Sequence, residues 1–227
     1  YRREALVVVG VGWILSCLLG SLPYLLGGFI SDVPSAVFES VSGFTTTGAT
    51  VISDIDTLPR SILFWRMLTH WLGGMGIIVL FVAIFPQMAG GAKQMFRSEV
   101  PGPVAEGLRP KIKETALALW RIYIFLTLAE TGLLIFAGMS VFDAFCHSIS
   151  TIATGGFSTR NGSIGEYDNP FIEVIIMVFM LIAGANFGLF HVLIKDRAWL
   201  IFKGAEFRSY VGIIVFVSLI IYLSIYN

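Results

Sequence analysis

The sequence predicts an all-α integral membrane protein made of repeated units: a spanning helix, a short re-entrant helix, and a second spanning helix. Three observations predict it. Of the 227 residues, 56% are hydrophobic and only 13% charged, whereas soluble domains carry about a quarter. Apolar stretches long enough to cross a hydrocarbon core, which takes about 20 residues, alternate with two apolar pieces too short to do so. One phrase also occurs twice, about 107 residues apart (48 to 155): residues 38–48 and 145–155 each run from apolar to small side chains and end in Thr-Gly.

Five spanning stretches are expected, over residues 5–30, 61–85, 115–139, 170–194 and 210–226. The fifth is short and reaches back toward Phe202. Arg2 and Arg3 precede the first in the manner of a signal peptide, but the run is too long and no small-residue cleavage site follows. The short pieces lie at 33–44, between the first and second spans, and at 140–151, between the third and fourth. Their starts are marked. Ser140 with Asp143 three residues on fits a capping box, and Asp32 with Pro34 supplies a cap and a first-turn proline.

The order gives a first repeat at 1–85, a cytoplasmic linker at 86–112, and a second repeat at 113–195. A connector and the opening helix of a third repeat follow at 196–227. The linker holds Gly90-Gly91 and Pro101-Gly102-Pro103, too broken for one helix. It reads as a solvated connector or a surface for a cytosolic partner. A chain that begins at Tyr1 without methionine and stops just after an apolar stretch is expected to be a piece of a longer protein.

The charges orient these stretches. Of 15 Lys and Arg, 11 fall in three places: Arg2 and Arg3; Lys93, Arg97, Arg109, Lys111 and Lys113; and Lys195, Arg197, Lys203 and Arg208. If every apolar stretch spans, all three share one side, which the positive-inside rule makes the cytoplasm. Arg60 and Arg160 fall outside with Asp32, Asp54, Asp56, Asp143, Glu166 and Asp168. These outer acids either raise the cation concentration at a pore mouth or form an ordinary solvated surface. There is no basic run for nucleic acid, and Cys17 and Cys146 read as small buried hydrophobes.

Irregular backbone at membrane depth is tolerated only inside protein or beside a water-filled cavity. Residues 45–48 and 152–155 therefore either line a pore or are packed away as turns that fill space. Three features favour the pore. Threonine offers a hydroxyl beside its carbonyl, and glycine permits the φ values that aim successive carbonyls at one axis. A short helix entering from outside also points the negative end of its dipole at a cation there.

Three segments carry a family resemblance: Ser42-Gly43-Phe44-Thr45-Thr46-Thr47-Gly48-Ala49-Thr50, Trp71-Leu72-Gly73-Gly74-Met75-Gly76, and Thr151-Ile152-Ala153-Thr154-Gly155-Gly156-Phe157-Ser158. With them the chain resembles the Trk/Ktr/HKT superfamily of cation uptake proteins, and within it the bacterial TrkH-type potassium uptake membrane subunit. The resemblance covers the first two repeats and the start of the third. It implies outer helix–re-entrant pore helix–inner helix units of potassium-channel-like architecture, four of them in one polypeptide around one pore. It also implies one filter glycine per repeat, on Gly48 and Gly155 here. In plant relatives serine at the first position accompanies sodium and glycine potassium, so Gly48 leans toward potassium. The potassium-channel filter Thr-Val-Gly-Tyr-Gly is only partly matched, because Thr50 and Phe157 stand at its last glycine, which suggests a shorter and less selective filter. The gate is expected in the third repeat's inner helix, outside this chain. A homodimer, a cytosolic nucleotide-binding regulatory subunit and the bacterial inner membrane are further implications.

Intramembrane charges are functional candidates by default. Glu39 and Glu130 qualify, while Arg66 is expected to reach outward to Asp54 or Asp56, and Arg121 to snorkel. His70, His147 and His191 show no ligand spacing and read as hydrogen-bonded helix residues. Gly73-Gly74-Met75-Gly76 and Gly184-Ala185-Asn186 allow close helix packing or bending.

The function expected is passive or gated potassium entry down its electrochemical gradient. The carbonyls of Thr46, Thr47, Gly48, Ala153, Thr154 and Gly155 would replace part of the ion's water shell. Potassium is cargo here; no other cofactor and no enzymatic activity are expected. Two rivals stand beside this reading. An ion-coupled secondary transporter (sodium/potassium symport) predicts inverted repeats, but both repeats enter from one side. A non-conducting scaffold subunit predicts indifference to changes in the Thr-Gly residues.

Overall fold

A computed structural model of the chain describes residues 2–88, 108–185 and 205–225. Every regular element among them is helical. The first expected span divides into α1 (Arg2–Gly20) and α2 (Leu22–Leu26). Pro23 is the cause, since it has no N–H to donate and its ring crowds the preceding turn. The Ser21 N–H is shared between the Cys17 and Leu18 carbonyls at 3.2 and 3.3 Å. A window over Val9–Leu26 remains long and apolar enough to cross a membrane.

α3 (Val33–Phe44) starts at Asp32, whose carboxylate accepts the Ser35 N–H at 2.8 Å. α6 (Val141–Ile152) starts at Ser140, whose hydroxyl accepts the Asp143 N–H at 3.1 Å and donates to the Asp143 carboxylate at 2.8 Å. Each of these two helices has 12 residues, about 18 Å at 1.5 Å per residue, too short to cross a bilayer.

Between them lie two long helices, α4 (Arg60–Met88) and α5 (Leu108–Phe136), of 29 residues each. Both ends of the expected linker are therefore helical, and its centre, 89–107, lies outside the described residues. Pro110 does not prevent this, because it falls in the first turn of α5, where its missing N–H costs no helical bond. A 3₁₀ turn at Ser163–Tyr167 leads to α7 (Pro170–Gly184). The rest of the fourth expected span lies outside the described residues, and α8 (Ala205–Ile225) supplies the fifth. Windows in α5 (Ala116–Phe136) and α8 (Phe207–Ile225) are also long and apolar enough to cross a membrane.

α4 packs against both short helices, α3 and α6, and against α5. Beneath the end of α6, Met75, Tyr123, Ile152, Phe179 and Ala183 form a core shared by α4, α5, α6 and α7. A second cluster, Met67, Cys146, Ile149 and Phe157, joins α4 to α6 and the loop after it. Burial runs opposite to that of a soluble protein. Glu39, Arg66 and His70 are fully buried, while Leu26 is 84% and Phe136 92% exposed. Outward apolar and inward polar side chains suit a hydrocarbon surround.

Candidate functional site

The loops that follow α3 and α6 are built alike. The Thr47 N–H donates to the Ser42 carbonyl and the Gly155 N–H to the Ser150 carbonyl, both at 2.9 Å. The Thr46 N–H donates to Gly43 at 3.0 Å and the Thr154 N–H to Thr151 at 2.9 Å. Thr46 and Thr154 take left-handed φ values of 54° and 56°, each a strain of order 1–3 kcal/mol for a non-glycine residue. A serine hydroxyl then ties the far side of each loop, Ser42 to the Ala49 carbonyl and Ser150 to the Phe157 carbonyl.

All these pairs are 108 positions apart (42 to 150, 49 to 157), and so are the caps Asp32 and Ser140. The structural repeat is thus one residue longer than the Thr-Gly phrases suggest. Gly48, at φ 74°, has its equivalent in Gly156, at φ 91°, while Gly155 is equivalent to Thr47. Two adjacent glycines concealed the register. The signal that reveals it is the serine-to-carbonyl tie together with the cap positions.

The two loops meet. A Cβ on Gly48 would collide with the Gly155 carbonyl, so the backbones of the two repeats touch at this point. A Cβ on Gly155 would collide with the His70 ring on α4. Of the sequence-predicted residues, Thr47 and Thr154 are exposed, Thr46 and Gly48 half-buried, and Ala153 and Gly155 buried; Gly156 is exposed. The Thr45 hydroxyl donates to the Val41 carbonyl at 2.7 Å and pairs with the Thr47 hydroxyl at 2.8 Å, while the Thr154 hydroxyl donates to the Ala153 carbonyl at 2.7 Å.

The α4 glycines explain how both loops approach one helix. A Cβ on Gly73 would collide with the Phe44 carbonyl at the end of α3. One on Gly74 would lie 3.1 Å from the Ala153 Cα and 2.9 Å from the Tyr123 hydroxyl. α4 continues through them as one helix, so close packing, the first of the two expected roles, is the one observed. At the other glycine segment α7 ends at Gly184, where the Tyr210 hydroxyl of α8 donates to the Leu181 carbonyl at 3.0 Å.

Behind the loops sits a buried polar group that the sequence did not assemble. Arg66 turns inward rather than out to Asp54 or Asp56. Its Nε donates to Glu39 Oε1 at 2.9 Å and its Nη2 to Thr50 Oγ1 at 3.1 Å, and neither member of the ion pair is exposed. Glu39 also accepts the Thr50 hydroxyl at 2.9 Å and the Val51 N–H at 3.0 Å. The Arg66 guanidinium lies 4.2 Å from the Phe157 ring centroid. Phe157 in turn stacks on His70 at 4.0 Å, and the His70 Nδ1 is 3.2 Å from the Ser150 hydroxyl. Desolvation explains the inward turn: the one carboxylate buried beside Arg66 is Glu39, and a buried ion left without its counter-charge is costly.

The second repeat puts His147 where the first has Glu39 (39 to 147). Thr159 Oγ1 donates to Asp143 at 2.7 Å and lies 3.3 Å from His147 Nε2. Arg160 is 3.8 Å from Asp143 and 3.7 Å from Glu166. Its guanidinium pKa is pushed up by the Tyr167 hydroxyl and then by the Asp143 and Glu166 charges. Partial burial raises the Tyr167 phenol, with the Asp143 charge adding to it. Hydrogen bonds from Ser35 hold the Asp32 carboxyl below its ordinary value. Asp54 and Asp56 accept from Asn161 Nδ2 at 2.9 and 2.8 Å.

Glu130 is fully buried on α5, Arg121 is exposed, and His191 lies outside the described residues. Cys17 and Cys146 are buried and unbridged. Among the described residues no group of three His, Cys, Asp or Glu could hold a metal ion. What the two loops offer a ligand is backbone carbonyls and hydroxyls, the donors a weakly hydrated alkali cation accepts.

Residues 2–219 match the family model described as TrkH, cation transport protein. The chain is 46% identical over 214 residues to the Trk system potassium uptake protein TrkH of Escherichia coli (strain K12), covering 93% of this chain and 44% of that protein. It is 38% identical over 197 residues to TrkG of the same strain, across 86% of this chain and 41% of that one. The crystal structure of the potassium transporter TrkH from Vibrio parahaemolyticus superposes with a TM-score of 0.83 at 42% identity, covering 98% of this chain and 45% of the other. The chain thus spans somewhat under half the length of these relatives.

Proposed function

Because the chain belongs to the TrkH family of cation transport proteins, we propose that its two Thr-Gly loops form half of a carbonyl ring through which potassium enters the cell. The observation that carries this reading is the meeting of the loops, where the Gly48 Cα abuts the Gly155 carbonyl and each loop repeats the other's hydrogen bonds at 108 positions' distance. A turn that merely fills space has no need to reproduce two left-handed threonines and a serine tie.

The carbonyls of Thr46, Thr47, Gly48, Thr154 and Gly155 replace part of the ion's hydration shell, with Gly156 giving the second loop the freedom Gly48 gives the first; the Ala153 carbonyl, equivalent to that of Thr45, accepts the Thr154 hydroxyl instead. The C-terminal ends of α3 and α6 lead into these loops, so their dipoles favour a cation. The ion moves down its electrochemical gradient, and no covalent chemistry is involved. In the whole protein the division is a repeat at 1–85, a cytoplasmic linker at 86–112, a repeat at 113–195, and a connector with the third repeat's first helix at 196–227. Four repeats close the ring. The complete protein sits in the bacterial inner membrane as a homodimer, with a cytosolic nucleotide-binding regulatory subunit.

Rubidium uptake into liposomes holding the complete protein, wild type against Gly48→Asp, tests this. The expected result is uptake that excess potassium blocks, that sodium blocks less, and that the substitution abolishes. Uptake indifferent to Gly48→Asp removes the filter from these loops and favours a scaffold role.

A further inference from the structure

We propose that the buried Glu39–Arg66 pair is a positioning device that sets the distance between the two filter loops, and with it the preference among alkali cations. The inference rests on the filter reading above and adds a specificity-determining pair to it.

Through its side chain Arg66 bonds one loop and packs on a ring of the other. On one side its Nε and Nη2 reach Glu39 and Thr50, and Glu39 in turn fixes the Val51 N–H just past the first filter. On the other side its guanidinium carbon lies over the Phe157 ring, 4.2 Å from the centroid. Phe157 directly follows Gly156, and its carbonyl is held by Ser150. The Arg66 Nη1 has no hydrogen-bond partner among the described residues. A planar fork is needed for this bridge. Lysine keeps the charge but presents a single compact ammonium in place of the separate Nε and Nη2 donors that reach Glu39 and Thr50 while the guanidinium carbon lies over Phe157.

The second repeat has no such pair at the equivalent place, where His147 replaces Glu39. The constraint therefore acts between the loops from one side. Filter carbonyls discriminate potassium from sodium through the spacing and field of their oxygens, so a looser bridge widens the range of ions accepted. Gross packing around Arg66 affects how much protein folds; the bridge affects which ion the folded protein prefers.

The test is rubidium uptake by the complete protein in liposomes, with potassium and sodium as competitors, for wild type, Arg66→Lys, Glu39→Gln, Thr50→Val and Phe157→Leu. Each rate is set against the amount of folded protein and its thermal midpoint. The expected result is a fall of about tenfold in the potassium-over-sodium ratio for Arg66→Lys, as for loss of a charged hydrogen bond, with a smaller fall for Phe157→Leu, which removes only the stacking. If Arg66→Lys or Glu39→Gln does not fold, Thr50→Val and Phe157→Leu carry the comparison, since each leaves the ion pair in place. Ratios unchanged in every folded variant overturn the proposal while leaving the filter standing. A wild type that takes up no rubidium overturns the filter reading and this proposal together.

Discussion

At the scale of single residues, the site is decided by what cannot carry a side chain. Gly155 is hemmed in by the His70 ring and Gly48 by a carbonyl of the other loop. These two obstacles differ in kind: a ring can be removed by mutation, a backbone carbonyl cannot. Gly155→Ala is therefore expected to cost about 1–3 kcal/mol of stability, as overpacked cores do, and His70→Ala in the same chain to restore part of it. Gly48→Ala, also at φ 74°, is expected to gain nothing from His70→Ala. Thermal unfolding of the singles and doubles measures the coupling; additive costs for Gly155→Ala and His70→Ala show that the ring is not the obstacle. The sequence displayed the glycines and threonines of the two loops but misjudged which glycine matched which. It also displayed Glu39 and Arg66 as intramembrane charges without pairing them. Their separation of 27 positions carries no helical spacing, and only the fold of α4 back along α3 brings them together.

At the scale of elements, the short helices were legible because their starts are written in local chemistry. Asp32 and Ser140 cap as the sequence suggests, since a cap needs only its own next few residues. Helix ends were less legible. The break at Ser21 and the early start of α5 depend on one proline each, in opposite senses: Pro23 interrupts a span, whereas Pro110 is harmless in a first turn. Ser140→Ala is expected to cost about 1 kcal/mol. Asp32 adds a pH dependence. Its folded pKa lies below its unfolded value of about 3.9, because Ser35 bonds the ionised form. Its contribution is therefore present above that unfolded value and is lost as pH falls through the lower, folded one. Stability of the wild type should drop more steeply than that of Asp32→Ala on acidification below about pH 4. Parallel acid limbs for the two proteins would show that this cap carries no proton-linked stability.

At the scale of the whole molecule, two repeats must be held in register for their loops to meet. Among the helices α4 does this by packing against both α3 and α6 with glycines at the closest points. Between the loops that follow the short helices, Asn161 does it. Asn161, beyond the second Thr-Gly turn, donates to Asp54 and Asp56 at 2.9 and 2.8 Å and accepts the Ile55 N–H at 2.8 Å, all from the loop beyond the first Thr-Gly turn. These bonds are exposed, so each contributes toward the low end of the roughly 0.5–1.5 kcal/mol typical of a protein hydrogen bond. Their leverage comes from position, because they close the outer end of a unit whose inner end α4 already fixes. Asn161→Ala in the complete protein is expected to lower stability by about 1–2 kcal/mol. It should leave the potassium-over-sodium ratio unchanged, since the inner bridge through Arg66 is intact. Asn161→Asp should be worse than alanine, because it sets a third carboxylate against Asp54 and Asp56 at hydrogen-bond distance. Raising the salt concentration should relieve only the aspartate variant, since exposed charge repulsion is screened within about 10 Å at 0.1 M. A ratio that falls with Asn161→Ala would mean that the outer loops, and not the buried pair alone, govern the spacing of the filter.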